Sequence, residues 1–535
     1  MRRHLILDRL AQPVVHDLVV VGGGATGLGV ALDAAARGLK VALVESHDFA
    51  GGTSSRATKL VHGGVRYLAQ GRIGLVREAL RERTLLLRNA PHLAQPLGFV
   101  MPAYRWWEAP FYGAGLKLYD VLAGDASLGS TAWLPARALQ QLSPMLRQQG
   151  LKGGILYWDG QFDDARLALA LARTAAGLGA LLVNYCPVTA VVKRDGRVSG
   201  VRCHDAETGR EFELAARCVV NATGVWVDGL RQMDGSVARD GSASPATVAA
   251  MVAPSQGVHL VVDREFLPGP HAVIVPRTAD GRVLFAVPWL GKVILGTTDT
   301  PRDDLPREPR PFKAELSFLL QEAGRILRRP PTPGDIRSAW VGLRPLVRPQ
   351  GEAQQRTQAI SREHSVTVSP SGLVTVTGGK WTTYRAMAQD VLAVCEQQGL
   401  LPATRVGLTA SLRLAGAGEP TSGAGAGARP LSEPAGLHLY GSDADAVNAL
   451  PGAQRELGGG LTEAMVRFAV RHEWARCVED VLARRSRLLF LDAQLAGALA
   501  APVADILRGE GIPDPGAARF EALATSYLQL PTTGA

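Results

Sequence analysis

Near the start of the chain, apolar positions fall in two short unbroken runs separated by an alanine-rich segment. Leu18-Val19-Val20-Val21 follows His16-Asp17, and Val41-Ala42-Leu43-Val44 follows Lys40. Runs this short and this rich in β-branched residues predict buried parallel strands. Between them, Gly22-Gly23-Gly24-Ala25-Thr26-Gly27 opens a segment whose alanines predict a helix over Gly29 to Gly38. The whole stretch Leu18 to Ala36 is apolar enough to suggest a membrane span, but five glycines and Asp33 interrupt it. Two later segments repeat the strand pattern. Arg217 to Asn221 runs into the small turn Ala222-Thr223-Gly224, and Leu373 to Thr377 runs into Gly378-Gly379, with a helix predicted over Thr383 to Glu396. By pattern alone these two are equally compatible with ordinary core strands.

Strand, glycine turn, helix, strand and a terminal Glu45 arrive in the order and spacing of a dinucleotide-binding unit. With 60 glycines in 535 residues, GxGxxG alone means little, and the surrounding elements carry the reading. Gly22 would permit the tight turn, Gly24 would let backbone approach a pyrophosphate, and Gly27 would let helix pack on strand, with the amides of Ala25 and Thr26 facing the phosphates. Glu45 would accept from ribose hydroxyls and repel a 2′-phosphate, which leaves NAD or the adenosine half of FAD. The two later strands favour FAD, since each would return to the carboxyl edge of the same sheet. The second also aims a helix N-terminus into the site.

Composition narrows the class. Hydrophobic residues make up 46% of the chain, enough for a large core and two or three domains. The 58 Lys and Arg against 49 Asp and Glu leave a net charge of +9, which favours anionic partners. Five cysteines without CxxC spacing predict reduced intracellular thiols and no zinc site. The N-terminal segment MRRHLILDRLAQ is too short in apolar residues for a signal-peptide core, so a cytoplasmic protein without a transmembrane helix is expected.

One family shares these features in detail. The stretch Asp17 to Leu68, with "GGTSSRATKLVHGGVRYL", resembles the FAD-dependent glycerol-3-phosphate dehydrogenases, a respiratory branch of the D-amino-acid-oxidase-like flavoproteins. The segments "YWDGQFDDARL", "VVNATGVWV", "SQGVHLVV", "VLFAVPWLGKVILGTTDT", "GLRPLV", "AISREH" and "GGKWTTYR" resemble that family's segments in family order. Beyond residue 437, "AMVRFAVRHEWARCVEDVLARRSRLLFLDAQLA" resembles its helical C-terminal domain.

The resemblance implies oxidation of sn-glycerol 3-phosphate at carbon 2 to dihydroxyacetone phosphate, with FAD taking the hydride and a membrane quinone receiving the electrons. By match to the family, Arg66 with Tyr67 beside it, Arg344, Arg362 and Lys380 are the substrate's cationic donors, suited to a phosphate dianion. His259 in SQGVHLVV matches the substrate-side histidine and is the candidate base, with Arg344 holding the developing alkoxide. For the cofactor, Thr53, Ser54 and Ser55 offer hydroxyls and amides, with Lys59 nearby. His62, Gly63 and Gly64 would pack against the isoalloxazine, without a covalent tether. Ala222, Thr223, Gly224, Gly378, Gly379 and Thr382 complete the cofactor set. Gln256 stands where some members of the family carry lysine, so one cationic donor is missing. No metal site is expected, and the lack of a DxDxDG loop argues against calcium regulation.

The aromatic stretch Tyr104, Trp106, Trp107, Phe111, Tyr112 and Tyr119, beside Arg105 and Lys117, suits an interfacial segment on an anionic membrane, placing the protein peripherally on the cytoplasmic face of the inner membrane. The same aromatics would equally suit a cap-domain core. Arg467, Arg471, Arg476, Arg484, Arg485 and Arg487 suggest either a nucleic-acid face or pairs with Glu463, Glu473, Glu479 and Asp480 in a homodimer. The interleaved acids favour the homodimer and no nucleic acid. Rival functions are an oxygen-using oxidase of the same substrate, a related amino-acid oxidase, and a basic flavoprotein binding module without catalysis.

The expected fold is α/β. It comprises a discontinuous Rossmann-like FAD-binding domain and an antiparallel-β substrate cap, roughly residues 90–160 and 250–345, together within 1–413. A Gly/Ala/Pro linker over 414–437 then leads to a helical C-terminal domain over 438–535.

Overall fold

A computed structural model of the chain describes residues 3–68, 71–235, 249–278, 281–348, 363–418 and 429–531. Its first sheet has at its centre His16–Val21, flanked by Val41–Val44 and Glu211–Asn221, both parallel to it. Leu181–Val183 extends the sheet on one side and Val374–Gly378 on the other, again in parallel. His364–Val368 closes the second edge antiparallel. Parallel strands with near-continuous apolar runs require cover on both faces. Helices Ala25–Ala36, Asp164–Gly177 and Tyr384–Gln397 share the core on one face, and helix Arg3–Leu10 packs on the other beside the meander Val188–Arg194 and Arg197–His204. Three separate sequence regions thus build one nucleotide-binding sheet, as the strand pattern predicts.

The second sheet is antiparallel in nearly every pair. Val252–Asp263 and Ser338–Val347 form a ten-residue ladder, and Ala94–Ala103 pairs as extensively with Gly153–Phe162. The two halves of this cap meet at a parallel seam, Ala272↔Phe99 and Val273↔Val100. No hairpin connects those strands, so nothing enforces the antiparallel sense there. Cap residues Trp289, Ile294 and Trp340 belong to the same buried cluster as Phe468, Leu482, Phe490 and Val503 of the C-terminal helices. The ends of the expected linker are docked: Leu431 N donates to Gln95 Oε1 at 3.1 Å, and Leu414 N to Asn89 O at 2.9 Å. Residues 419–428 lie outside the described residues.

The C-terminal arginines behave differently from the sequence expectation. Arg467 pairs with Glu463, and Arg484 with Glu479 and Asp480, within the domain. Arg484 and Arg485 also turn inward to Asp48, a fully buried carboxylate following the second strand, and Arg487 reaches Asp164 at 2.9 Å. Arg166 of the first domain answers with Glu473 at 2.9 Å. These arginines clasp domain to domain within one chain, and none of Arg484, Arg485 or Arg487 is available to a nucleic-acid face. Among the described residues, no helix is long and apolar enough to cross a membrane.

Removing one member of a buried ionic cluster leaves the others desolvated and uncompensated. Asp48→Asn is therefore expected to destabilise the protein by about 3–5 kcal/mol, read from the shift of its denaturation midpoint. A loss under about 1 kcal/mol, the scale of an exposed pair, would rule the clasp out as a determinant of stability.

Candidate active site

A cleft of about 620 Å³ runs between the carboxyl ends of the parallel strands and the cap sheet. Its first wall is the glycine turn. Gly22 has φ +112° and abuts the backbone of Ala222, where a Cβ would come within 2.5 Å of the carbonyl oxygen. A Cβ on Gly27 would lie 1.9 Å from Gly22 O, so helix and turn can touch only with glycine there. Ala25 N donates to Ser54 Oγ at 2.9 Å. Glu45 is fixed at the end of its strand: Oε2 accepts from Gly23 N at 2.6 Å and Oε1 from His47 N at 2.9 Å. Beside it, Arg307 of the cap donates to Ser46 Oγ at 2.8 Å, with its guanidinium 4.8 Å from the Trp226 ring centroid. Val188, Leu230 and Met233 line this end with apolar surface.

Fitness for FAD can be judged from the donor set. The N-cap Gly24 has no side chain to cap the helix and Ser54 takes the Ala25 amide, so the turn presents its other backbone amides. An acid stands where a ribose would lie, and an apolar wall stands where adenine would lie. The cleft continues past the third strand, lined by Gly378, Gly379 and Thr382, towards a cationic end. Trp381 Nε1 donates to Ser54 O at 2.9 Å, tying the third sequence region to the first. A long nucleotide with a planar ring at its far end fits these residues.

At the cationic end, His259 sits on the ladder strand Val252–Asp263, buried, with its ring stacked on Trp340 at 4.1 Å between centroids. Its Nε2 is 2.9 Å from Thr58 Oγ1. Burial first, then the charges of Lys59 and Arg344, hold the imidazole well below its ordinary pKa. It is a neutral ring at physiological pH. Arg344, on the paired strand Ser338–Val347, donates to Thr298 O at 2.9 Å and Thr297 Oγ1 at 3.1 Å. Its guanidinium lies over Gly257, where a Cβ would come within 2.2 Å of Nη2. Lys380 Nζ lies 3.9 Å above the Tyr67 ring and lines the cleft.

The cleft brings together Gly22, Gly24, Ala25, Thr26, Glu45, Thr53, Ser54, His62, Ala222, Thr223, Gly224, His259, Arg344, Gly378, Gly379, Lys380 and Thr382. Gly27 stands behind the turn. Ser55 is buried, its hydroxyl directed at Gly52 O. Gly63 packs against Leu80 and Tyr119, and Gly64 against Tyr67. Lys59 is placed differently from the expectation: it is fully buried, with Nζ bonded to Ser55 O at 2.8 Å and Asp164 Oδ2 at 2.7 Å. Arg66 lies on the helical turn Val65–Leu68 next to Tyr67. Arg362 lies outside the described residues. Sequence reasoning missed Thr58, Trp226, Arg307 and Trp381. Three of these stand inside motifs already quoted, whereas Arg307 is in a cap loop without any motif.

Comparison with known proteins places the fold in a family. Residues 17–390 match the family model described as FAD dependent oxidoreductase, and residues 408–511 match the C-terminal domain of alpha-glycerophosphate oxidase. The mitochondrial glycerol-3-phosphate dehydrogenase of Homo sapiens is 42% identical over 526 residues, covering 90% of this chain and 68% of that one. The Macaca fascicularis protein of the same name is 48% identical over 70% of this chain. In that relative the match spans 52% of its length, so the chain matches about half of it. Among solved structures, the glycerol-3-phosphate dehydrogenase of Bacillus halodurans complexed with FAD superposes with a TM-score of 0.76 at 30% identity, covering 98% of this chain and 97% of that one.

Overpacking at a backbone contact cannot be relieved by a rotamer change. Gly27→Ala is therefore expected to retain dinucleotide at least about tenfold more weakly, measured as cofactor per chain after gel filtration. Full retention would contradict the tight turn.

Proposed function

Because the chain belongs to the FAD-dependent glycerol-3-phosphate dehydrogenases, within the wider family of FAD-dependent oxidoreductases, we propose that it oxidises sn-glycerol 3-phosphate at carbon 2 to dihydroxyacetone phosphate. One observation carries this reading: a dinucleotide cradle and a neutral buried histidine flanked by Arg344 share one cleft. FAD, when bound, supplies the hydride acceptor. The amides of Gly24 and Thr26 would hold its pyrophosphate, with the Ala25 amide kept by Ser54, Glu45 its ribose, and His62 with Gly378 to Thr382 the ring end.

The remaining chemistry belongs to the chain. Lys380, Arg344 and the cations at 66 and 362 bind the phosphate and orient the glycerol. His259 Nε2, which Thr58 Oγ1 engages at 2.9 Å in the resting site, takes the carbon-2 hydroxyl proton once the substrate hydroxyl displaces that contact. Arg344 stabilises negative charge on that oxygen as the proton leaves. Phosphate is the better match than an amino-acid carboxylate, because a single carboxylate does not call for so many cations.

Electrons leave to a membrane quinone, and helix Glu108–Ala123 supplies the surface for that encounter. Its buried residues Ala109, Leu116 and Tyr119 face the protein, while Trp106, Phe111 and Val121 are 82%, 68% and 75% exposed. Rings at headgroup depth with Arg105 and Lys117 beside them suit the cytoplasmic face of an anionic bilayer. A second reading, an oxidase passing electrons to oxygen, draws support from the match of residues 408–511 to an oxidase C-terminal domain. Peroxide yield against quinone reduction separates the two.

Mixing the protein anaerobically with sn-glycerol 3-phosphate should bleach the flavin band, and bleaching by alanine or proline in its place would overturn the substrate. Arg344→Met should lower kcat/KM about 100-fold or more with flavin content unchanged. Since a base works only unprotonated, a lowered pKa at His259 moves the acid limb of kcat/KM below the ordinary histidine range; a limb near pH ~6.5 would exclude it. Finally, Trp106→Ser with Phe111→Ser should abolish co-sedimentation with anionic vesicles while anaerobic bleaching persists.

A further inference from the structure

Beneath His259 lies a charged cluster that the reaction itself does not use. Lys59 has φ +65°, which turns its side chain off the cleft-lining path and into the seam between all three parts of the molecule. Its ammonium lies within 4.7 Å of the Trp340 ring centroid, 5.2 Å of Trp289 and 5.5 Å of Phe490. The cap supplies both tryptophans and the C-terminal domain the phenylalanine. Arg487, also fully buried, duplicates the lysine's contacts: it donates to Ser55 O at 2.7 Å and Asp164 Oδ1 at 2.9 Å. Two cations thus share one carbonyl and one carboxylate, with Asp163 beside them.

We propose that Lys59 is a positioning residue for the proton acceptor. Held by Asp164 and the Ser55 carbonyl, its charge sits beside the Trp340 ring on which His259 stacks, and discourages protonation of the imidazole. This inference rests on His259 as proton acceptor.

The charged groups facing His259 are Lys59 from the seam and Arg344 from the adjoining strand, both positive, and each pushes the imidazole down in addition to burial. Lys59 faces Asp164, Asp163 and Arg487. Burial pushes Lys59 itself down to about 7, so it carries its charge throughout the acid range in which His259 titrates. Arg344 has a second duty at the substrate oxygen, whereas Lys59 is kept from the cleft and cannot compete for phosphate. A C-terminal domain that touches no reacting atom thereby helps to set the state of the base.

Lys59→Met tests this, since methionine fills the aromatic box at similar length and leaves Asp164 paired with Arg487. The readout is the proton resonance of the His259 ring in the resting, FAD-loaded protein, identified by its loss in His259→Asn. The expected result is a rise of about one pH unit in the His259 titration, matched by the acid limb of kcat/KM, with Lys59→Arg leaving both in place. Lys59→Gln serves as the second variant should the first fail to fold. An unchanged titration in the neutral variants overturns the proposal. Should His259→Asn instead turn over normally, the proton-acceptor reading fails, and the resting titration still decides whether Lys59 acts on the ring.

Discussion

Asp48 and Asp164 are carboxylates of the nucleotide-binding domain with no access to water. Taking a carboxylate out of water costs several kcal/mol unless a cation and hydrogen bonds replace the solvent. Lys59 is one such cation, and the others, Arg484, Arg485 and Arg487, come from one short segment of the C-terminal domain. The requirement to compensate these two anions therefore fixes where that domain must sit. Its helices then share a core with Trp289 and Trp340 of the cap, and cap strands carry His259 and Arg344. The position of His259 is in this way tied to a charge balance made outside the cleft.

The cleft itself has an asymmetric charge distribution. At the nucleotide end a carboxylate, Glu45, is held by backbone amides and faces Arg307 across the opening. At the opposite end Arg344 and Lys380 line the wall. A site built to draw in a phosphate dianion needs positive potential, and that potential also keeps a neighbouring histidine neutral. Of the two charges that act on His259, Arg344 belongs to this cleft wall and Lys59 lies behind it, and no carboxylate is among them. The ring is held instead by Thr58 and by stacking on Trp340.

What was legible in the sequence follows from the range of the signals. The dinucleotide unit is local, since a strand, a turn, a helix and a strand are contiguous and each obeys its own periodicity. The cap and the later strands could be read because their motifs occur in order. Partners of buried charges could not. Arg485 and Asp48 are separated by 437 positions, and nothing in either segment marks the other as its counterpart. The arginines read as a surface pattern because acids at short spacing are the commonest partners on exposed helices, whereas the structure sends three of them inward. Arg307 was invisible for a different reason: it reaches the cleft from a cap loop, positioned by the tertiary fold.

The strip from Thr53 to Tyr67 shows why residue-by-residue transfer did not reveal that Lys59 turns away from the cleft. Its residues divide between two environments. Thr53, Ser54, Thr58, Leu60 and His62 line the cleft, while Ser55 and Lys59 face the seam with the C-terminal domain. The left-handed backbone at Lys59 is what inverts the direction at that point, and such a conformation costs about 1 kcal/mol or more for a residue with a Cβ. Three aromatic rings and a buried carboxylate around the ammonium offset that cost. A segment dense in donors therefore need not direct all of them at ligand: Ser55 and Lys59 hold the wall in place, and the wall they hold carries His259.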